Sequence, residues 1–281
     1  MESLVKVSII IAFYKDLEAL ALILEAFTRQ SYSNIEIVVA EDNDDAKTKI
    51  LIDQFAGRLS IVHNTHEDIG RTKAAAQNKA ICTASGEYLI FIDGDCVPYS
   101  TFVEGHVSLS QSKHVLSGRR VNVPSTLSKK MRHKELSTEN FEKYYLFYVL
   151  SNLIWEKKTH YEQGFYVKPD STVYKKYIAK KKRNVQILGC NFSCFKEDFV
   201  AINGFDESYG LSILGDDTDL NWRFVDYGAE IASCKNVANV FHLDHKRPSY
   251  PDFDPSEDLA RFNRVKAEHK FYCDQGLDQY C

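Results

Sequence analysis

The sequence has no uninterrupted apolar run near the ~18 residues that a membrane-spanning helix needs. Its opening, MESLVKVSIII, shows no basic region followed by a long apolar stretch and a small-residue cleavage site, so no signal peptide is expected. An excess of positive charge is missing too. The 35 Lys and Arg face 39 Asp and Glu, a formal charge of -4, so nothing draws the chain as a whole toward nucleic acid. Paired cysteines are also absent: seven are scattered in an odd set, which predicts reduced thiols and a cytoplasmic setting. Cys190 and Cys194 with His242 and His245 fit no standard zinc spacing, and core thiols are the better reading. There is no internal repeat and no low-complexity linker. What remains, at 44% hydrophobic and 26% charged residues, is an ordinary globular chain able to bury a large core without staples.

The first hundred residues alternate two periods. Residues 5–14 form a continuous β-branched run, as expected of a parallel strand buried on both faces. Asp16 can cap a helix whose Leu17, Leu20, Ala21, Leu24 and Phe27 share one face. A strand at 35–40 ends in the acidic cluster Glu41 to Asp45, and a helix with Ile50, Leu51 and Phe55 inward leads to a strand at 59–63. After Ile69-Gly70-Arg71 comes an alanine-rich helix at 72–84, then the apolar strand 88–92. Four strand–helix alternations predict right-handed crossovers and a doubly wound, mostly parallel sheet. Such sheets bind ligands at the carboxyl ends of their strands, where Ala12, Tyr14, Asp42 and Asp93 to Asp95 all fall.

The nucleotide fingerprints usual for this layout are missing. The turn after the first strand is AFYKD, with no G-x-G-x-x-G and no P-loop to seat a phosphate. Asp93-Gly94-Asp95 offers another means. Two carboxylates one residue apart point to the same side of an extended chain, and Gly94 lets a ligand approach the backbone. Hard oxygen ligands so placed suit Mg²⁺ or Mn²⁺ carrying phosphates, although Asp-Gly alone is a common solvated turn.

Downstream, a helix after Ser100 and a short strand near Val115 are expected, and residues 140–155 carry aromatics at helical intervals. Trp155, Tyr161, Phe165 and Tyr166 offer an aromatic platform for a sugar ring, against a packing role. The basic run YKKYIAKKKR, 174–183, reads as a solvated face, with contact to a diphosphate or a membrane surface as the functional alternative. Asp216-Asp217-Thr218-Asp219 opens an amphipathic helix bearing Leu220, Phe224 and Tyr227. Three acids in four positions exceed what a cap requires. A strand at 237–241 runs into His242 and His245, and residues 255–281 read as a charged amphipathic helical tail with Leu259, Phe262, Val265 and Phe271 available for packing.

These stretches together resemble the family 2 glycosyltransferases of the GT-A fold. VSIIIAFYK is similar to the family's opening strand, YSNIEIVVAEDN to its base-binding strand and acidic turn, and IGRTKAAAQNKAICTASGEYLIFIDGDC to the segment entering its D-x-D. The block from NFSCFKEDFVAINGFDESYG to GDDTDLNWR resembles a region shared with galactosyltransferases. The likeness covers roughly residues 5–110 and 185–245. It implies a Rossmann-like α/β GT-A sheet with an acceptor-side α+β extension, in one domain over 1–281. Residues 1–115 would be the nucleotide-sugar half, 116–250 the acceptor half and 251–281 the tail. It further implies that Ala12, Tyr14 and Asp42 surround the uracil and ribose of a UDP-sugar, and that Arg71 holds the base or diphosphate. Asp93 would face the ribose and donor sugar beside Gly94, and Asp95 would ligate Mn²⁺ or Mg²⁺ with His242 or His245. Asp217 would be the general base, with Asp216 and Trp155 on the acceptor side.

Such parts make one inverting displacement intelligible: a dication stabilises the departing diphosphate while a carboxylate takes the acceptor proton, and no second nucleophilic carboxylate is needed. The expected acceptor is a saccharide or lipid-linked saccharide, reached in the cytoplasm, with the inner face of the membrane as a candidate contact. The segment SYGLSILG lacks the tryptophan often found there, Asp216 replaces the more usual glutamate, and Ala12 stands where many relatives carry proline or a hydroxyl residue. These departures leave donor sugar and acceptor open. The alternative functions are a sugar-1-phosphate nucleotidyltransferase, which would show a glycine-rich phosphate loop, and a non-catalytic nucleotide-sugar-binding module.

Overall fold

β-branched and aromatic side chains make β1 (Val7–Phe13), β2 (Ile35–Glu41) and β4 (Tyr88–Asp93) almost wholly buried, as strands covered on both faces must be. The structure is a computed structural model that describes residues 4–68, 70, 72–151, 159–179, 185–209, 215, 217–246 and 254–281. In chain order the first half runs β1, α1 (Leu17–Phe27), β2, α2 (Ala46–Asp53), β3 (Ile61–Asn64), α3 (Lys73–Thr83), β4, β5 (Cys96–Pro98), α4 (Phe102–Leu109), β6 (His114–Ser117) and β7 (Arg119–Asn122). The second runs α5 (Ser125–Arg132), α6 (Thr138–Lys143), α7 (Tyr145–Ser151), β8 (Asn191–Phe195), α8 (Lys196–Ala201), α9 (Asp217–Asp226), β9 (Glu230–Ser233), β10 (Asn239–His242) and α10 (Ser256–Ala267).

Two sheets result. The larger has the order β3-β2-β1-β4-β8-β6-β9, parallel from β3 to β4, with β8 antiparallel to both neighbours. The smaller is β5-β10-β7. Strand order reverses between β1 and β4, whose parallel register sets Ala12 beside Asp93. That reversal is where an open α/β sheet leaves a crevice. Helix α1 begins as its sequence predicts, with Asp16 Oδ1 accepting from Ala19 N at 3.0 Å. The aromatic stretch after 138 breaks at Tyr144 into α6 and α7, which bury Phe141, Tyr145 and Val149.

Several expectations need correction. Of the residues expected inward around α2, Phe55 is buried and Leu51 packs against the core, but Ile50 is exposed; Thr48 and Ile52 face inward, Thr48 donating to the buried Glu41 Oε1 at 2.7 Å. In the tail the helix stops at Ala267; Phe262, Val265 and, beyond the helix, Phe271 pack as expected, but Leu259 is exposed. The seven thiols are not all reduced. Cys82 of α3 and the terminal Cys281 form a disulfide across 199 residues, while Cys96, Cys190, Cys194, Cys234 and Cys273 are free and buried. Spacing cannot reveal a pair that meets only when the tail folds back.

Between the larger sheet and α4 lies a buried polar chain. Tyr88 Oη meets Ser193 Oγ at 2.6 Å, Ser193 meets His106 Nδ1 at 2.7 Å, and His106 Nε2 meets Asn191 Oδ1 at 3.0 Å. Burial pushes His106 down to about 3, against the opposing pull of the Asn191 hydrogen bond. Unfolded, this imidazole takes a proton near pH 6.5. The unfolded state therefore binds more protons than the folded one between those values, and stability falls as pH drops through the window. The loss is at most about 1.4 kcal/mol per pH unit. We expect the parent's urea midpoint to fall more steeply than that of His106→Gln between pH 7 and 4; parallel curves would contradict this account.

Candidate active site

The turn after β4 builds the site. Gly94 N donates to Ala12 O at 2.8 Å, and a Cβ at Gly94 would lie 2.8 Å from that same oxygen, so only glycine fits the contact. The chain leaves this turn as β5, whose antiparallel pairing with β10 sets Cys96 opposite His242. Asp93 and Asp95 consequently face different partners. Asp93 Oδ1 accepts from Lys73 Nζ at 2.7 Å, at the head of α3. Asp95 Oδ2 lies 3.0 Å from His245 Nε2 and 3.5 Å from His242 Nε2. Burial works to raise the Asp95 carboxyl, but the hydrogen bonds and charge of His242 and His245 outweigh it and hold the group well below the usual carboxylate range.

Donor atoms of Asp95, Cys96 and His242 lie within 4.8 Å of one another. Burial pushes the Cys96 thiol well up, and its Sγ donates to Asp95 Oδ1 at 3.3 Å, so the thiol orients the carboxylate. One carboxylate and one or two imidazoles would match the donor chemistry of a divalent ion such as Mn²⁺.

The other predicted residues divide clearly. Asp42 N donates to Phe13 O at 2.8 Å, bringing Asp42 to the end of β1. Its carboxylate accepts from Thr72 N at 3.0 Å, from Thr72 Oγ1, and meets His66 Nε2 at 2.9 Å. Tyr14 is half-exposed, its hydroxyl accepting from Lys15 Nζ at 2.7 Å and donating to Asp68 Oδ2 at 3.3 Å. Asp217 opens α9, and a Cβ built on Gly189 would lie 2.4 Å from Asp217 Oδ1. Because Asn191 pairs with Ile92, residues 189 and 190 emerge at the same end of the sheet as Asp93. Asp219 is different: it is buried, its Oδ2 accepts from Arg223 Nε at 2.6 Å, and Oδ1 accepts from Trp222 Nε1 at 3.1 Å and Tyr209 Oη at 3.2 Å. One acid of the cluster is thus spent on structure. Arg71, Trp155 and Asp216 lie outside the described residues, as do residues 180–183 of the basic run.

Sequence reasoning missed His66, Thr72, Lys73 and the orienting role of Cys96. Thr72 and Lys73 were within reach, since both stand at the predicted start of the alanine-rich helix.

A parallel sheet with an acidic strand-end turn facing a small second sheet is the GT-A architecture of nucleotide-sugar enzymes. Comparison with known proteins agrees: the glycosyl transferase family 2 profile matches residues 8–174, and the chain belongs to that family. A second profile, described as the N-terminal domain of galactosyltransferase, matches residues 172–246. Similar curated proteins include glycosyltransferase AglE of Haloferax volcanii, 35% identical over 104 residues, or 36% of this chain and 34% of that one. Another is the Escherichia coli UDP-Glc:alpha-D-GlcNAc-diphosphoundecaprenol beta-1,3-glucosyltransferase WfaP, 28% identical over 110 residues, or 39% and 43%. The matches therefore span less than half the length of either relative. Among solved structures, GalNAc-T7 with UDP, GalNAc and Mn2+ has a TM-score of 0.63 at 15% identity, covering 95% of this chain and 50% of that one.

The split between Asp217 and Asp219 is testable by stability. Asp219→Ala leaves the Arg223 guanidinium buried without its partner, which costs about 3–5 kcal/mol. Asp217→Ala, at a half-buried helix start, should cost about 1 kcal/mol or less. Denaturant midpoints of the two variants check this, and equal losses would refute the division.

Proposed function

We propose that this protein transfers a sugar from a nucleotide sugar, a UDP-sugar, to a hydroxyl of a saccharide or lipid-linked saccharide, with inversion and with Mn²⁺ or Mg²⁺ bound. The carrying observation is the splitting of Asp93 and Asp95 by the Gly94 turn, one toward Lys73 and one toward His242 and His245. Asp95 with His242 and His245 would hold the metal, which when bound neutralises charge growing on the leaving diphosphate. Asp93, steadied by Lys73, would position the ribose and donor sugar. Asp42 and Tyr14 would line the base, with Asp42 held by Thr72 and His66, and Arg71 would contact the base or diphosphate. Asp217 would accept the acceptor proton, and its carboxylate, lying over Gly189 at the end of the sheet that carries Asp93, supports that role. Asp216 and Trp155 would contact the acceptor.

The UDP donor draws support from the UDP-glucose named for WfaP and the UDP and Mn2+ held by GalNAc-T7; the diphosphoundecaprenol acceptor of WfaP supports a lipid-linked one. An acceptor on that carrier would place the reaction at the inner face of a membrane. Family membership disfavours the nucleotidyltransferase alternative.

A screen of UDP-, GDP- and dTDP-sugars for metal-dependent donor hydrolysis tests the donor without knowledge of the acceptor. UDP with Mn²⁺ should raise the melting temperature, and Asp95→Ala should abolish that shift. Asp217→Asn should keep the shift yet lose at least about 100-fold in transfer rate. A binding shift without turnover for any donor would instead favour a non-catalytic module.

A further inference from the structure

Arg120 of β7 has no carboxylate partner among the described residues, although acids stand close by. It lies opposite Val240 of β10, and His242 lies opposite Asn122 in the same register. Paired residues share a face and side chains alternate along a strand, so Arg120 projects from the face of the smaller sheet that bears His242 and Cys96. It is half-buried, and among the described residues its one hydrogen bond runs from Nη1 to Cys190 Sγ at 3.4 Å. Cys190 is hydrogen-bonded in turn to Cys96, and Cys96 Sγ donates to Asp95 Oδ1 at 3.3 Å. The residue before Cys190 is Gly189, over which the Asp217 carboxylate lies. The guanidinium is thus two thiols from Asp95 and one residue from the glycine under Asp217. The neighbouring carboxylates are already committed: Asp93 accepts from Lys73, and Asp95 faces His242 and His245.

We propose that Arg120 binds an anionic oxygen of the donor substrate, supplied by the diphosphate or by a carboxylate on its sugar. The proposal rests on the sugar-transfer reading and adds to it a residue that recognises charge. A guanidinium is always charged and presents five N–H donors in a planar fork. A thiol is a weak acceptor and takes one of them, so a half-buried cation here has lost water without gaining a counter-charge. Phosphate and carboxylate oxygens match the fork at two points and supply that charge. A neutral sugar hydroxyl fits less well, because it leaves the charge uncompensated. A role confined to propping Cys190 uses one donor and leaves the others idle.

Calorimetric binding and donor hydrolysis by the parent, Arg120→Gln and Arg120→Lys test it. The probes, with Mn²⁺, are UDP, UDP-glucose and UDP-glucuronate, or their counterparts on whichever nucleotide the donor screen selects. Arg120→Gln keeps an N–H for Cys190 and removes the charge. If the diphosphate is the partner, this variant should bind UDP about tenfold to a hundredfold more weakly and slow both sugar donors alike. If the partner is a sugar carboxylate, UDP and UDP-glucose should behave as with the parent, and a preference for UDP-glucuronate should fall about tenfold or more. Arg120→Lys, which keeps the charge without the fork, should recover part of either loss. Parental binding and hydrolysis of all three probes by Arg120→Gln would overturn the proposal and leave the transfer reading standing. A loss that is equal in the Gln and Lys variants and tracks a lower melting temperature without ligand would reduce Arg120 to a support for Cys190, and so overturn it too. A parent that binds no nucleoside diphosphate would sink the transfer reading itself, and this proposal with it.

Discussion

The contact between Gly94 and the Ala12 carbonyl governs the rest of this molecule. Parallel pairing of β1 with β4 brings Asp93 level with Ala12, and Gly94 then donates to the carbonyl beside it with no room for a side chain. The chain can only turn away there. That turn launches β5 into the second sheet, where antiparallel register delivers His242 opposite Cys96 and so beside Asp95. Leu243 N closes the arrangement by donating to Asp95 O at 2.9 Å. Two carboxylates adjacent but for one glycine thus lie one at the end of the larger sheet and one in the turn that enters the smaller. The proposed division between positioning a donor and holding a metal is a consequence of backbone topology as much as of side-chain chemistry.

Buried charge is then allotted with little left over. Asp219 is buried with Arg223, and a lone charge at either position would be costly; together they fix the first turns of α9 through Trp222 and Tyr209. Burial raises the Asp219 carboxyl, and Arg223 opposes that shift, as befits a structural pair and not a base poised for proton transfer. Asp42 is likewise committed, its oxygens accepting from Thr72 and facing His66. A carboxylate so anchored has a defined orientation, which the proposed contact with a nucleotide base would require.

The sheet was legible because its signals are local. Continuous β-branched runs at 7–13 and 35–41, the Asp16 cap and the alanine-rich helix all follow from period and propensity, and their order implies the crevice at the β1–β4 reversal. The D-x-D and the two histidines were legible as ligand types. Their meeting was not, since it depends on β5 and β10 pairing across more than a hundred residues. The same holds for Cys82 with Cys281 and for Lys73 with Asp93. Among three acids at 216, 217 and 219, spacing alone could not say which would be absorbed by an arginine four residues on. The pattern Asp219-x-x-x-Arg223 does permit an i,i+4 pair, and weighing it would have set Asp219 aside.

The tail gives the acidic helix its footing. Asn203 and Gly204 adopt left-handed backbone at φ 62° and 71°, a reversal that asparagine and glycine tolerate best. Asn203 Nδ2 donates to Cys273 O at 2.8 Å, Leu277 N returns a bond to Asn203 O at 2.9 Å, and Arg223 Nη1 donates to Ile202 O at 2.9 Å. From the other side Asn78 of α3 donates to Phe205 O and to Glu207 Oε1, and Tyr280 Oη donates to Glu207 Oε2. The Cys82–Cys281 bond ties the tail to that same helix α3. The turn that precedes Asp217 is therefore gripped between α3 and the last residues of the chain. Helix α3 begins with Thr72 and Lys73, which hold Asp42 and Asp93. Helix α3 thus links the proposed donor acids at its start to the support of the proposed base near its end.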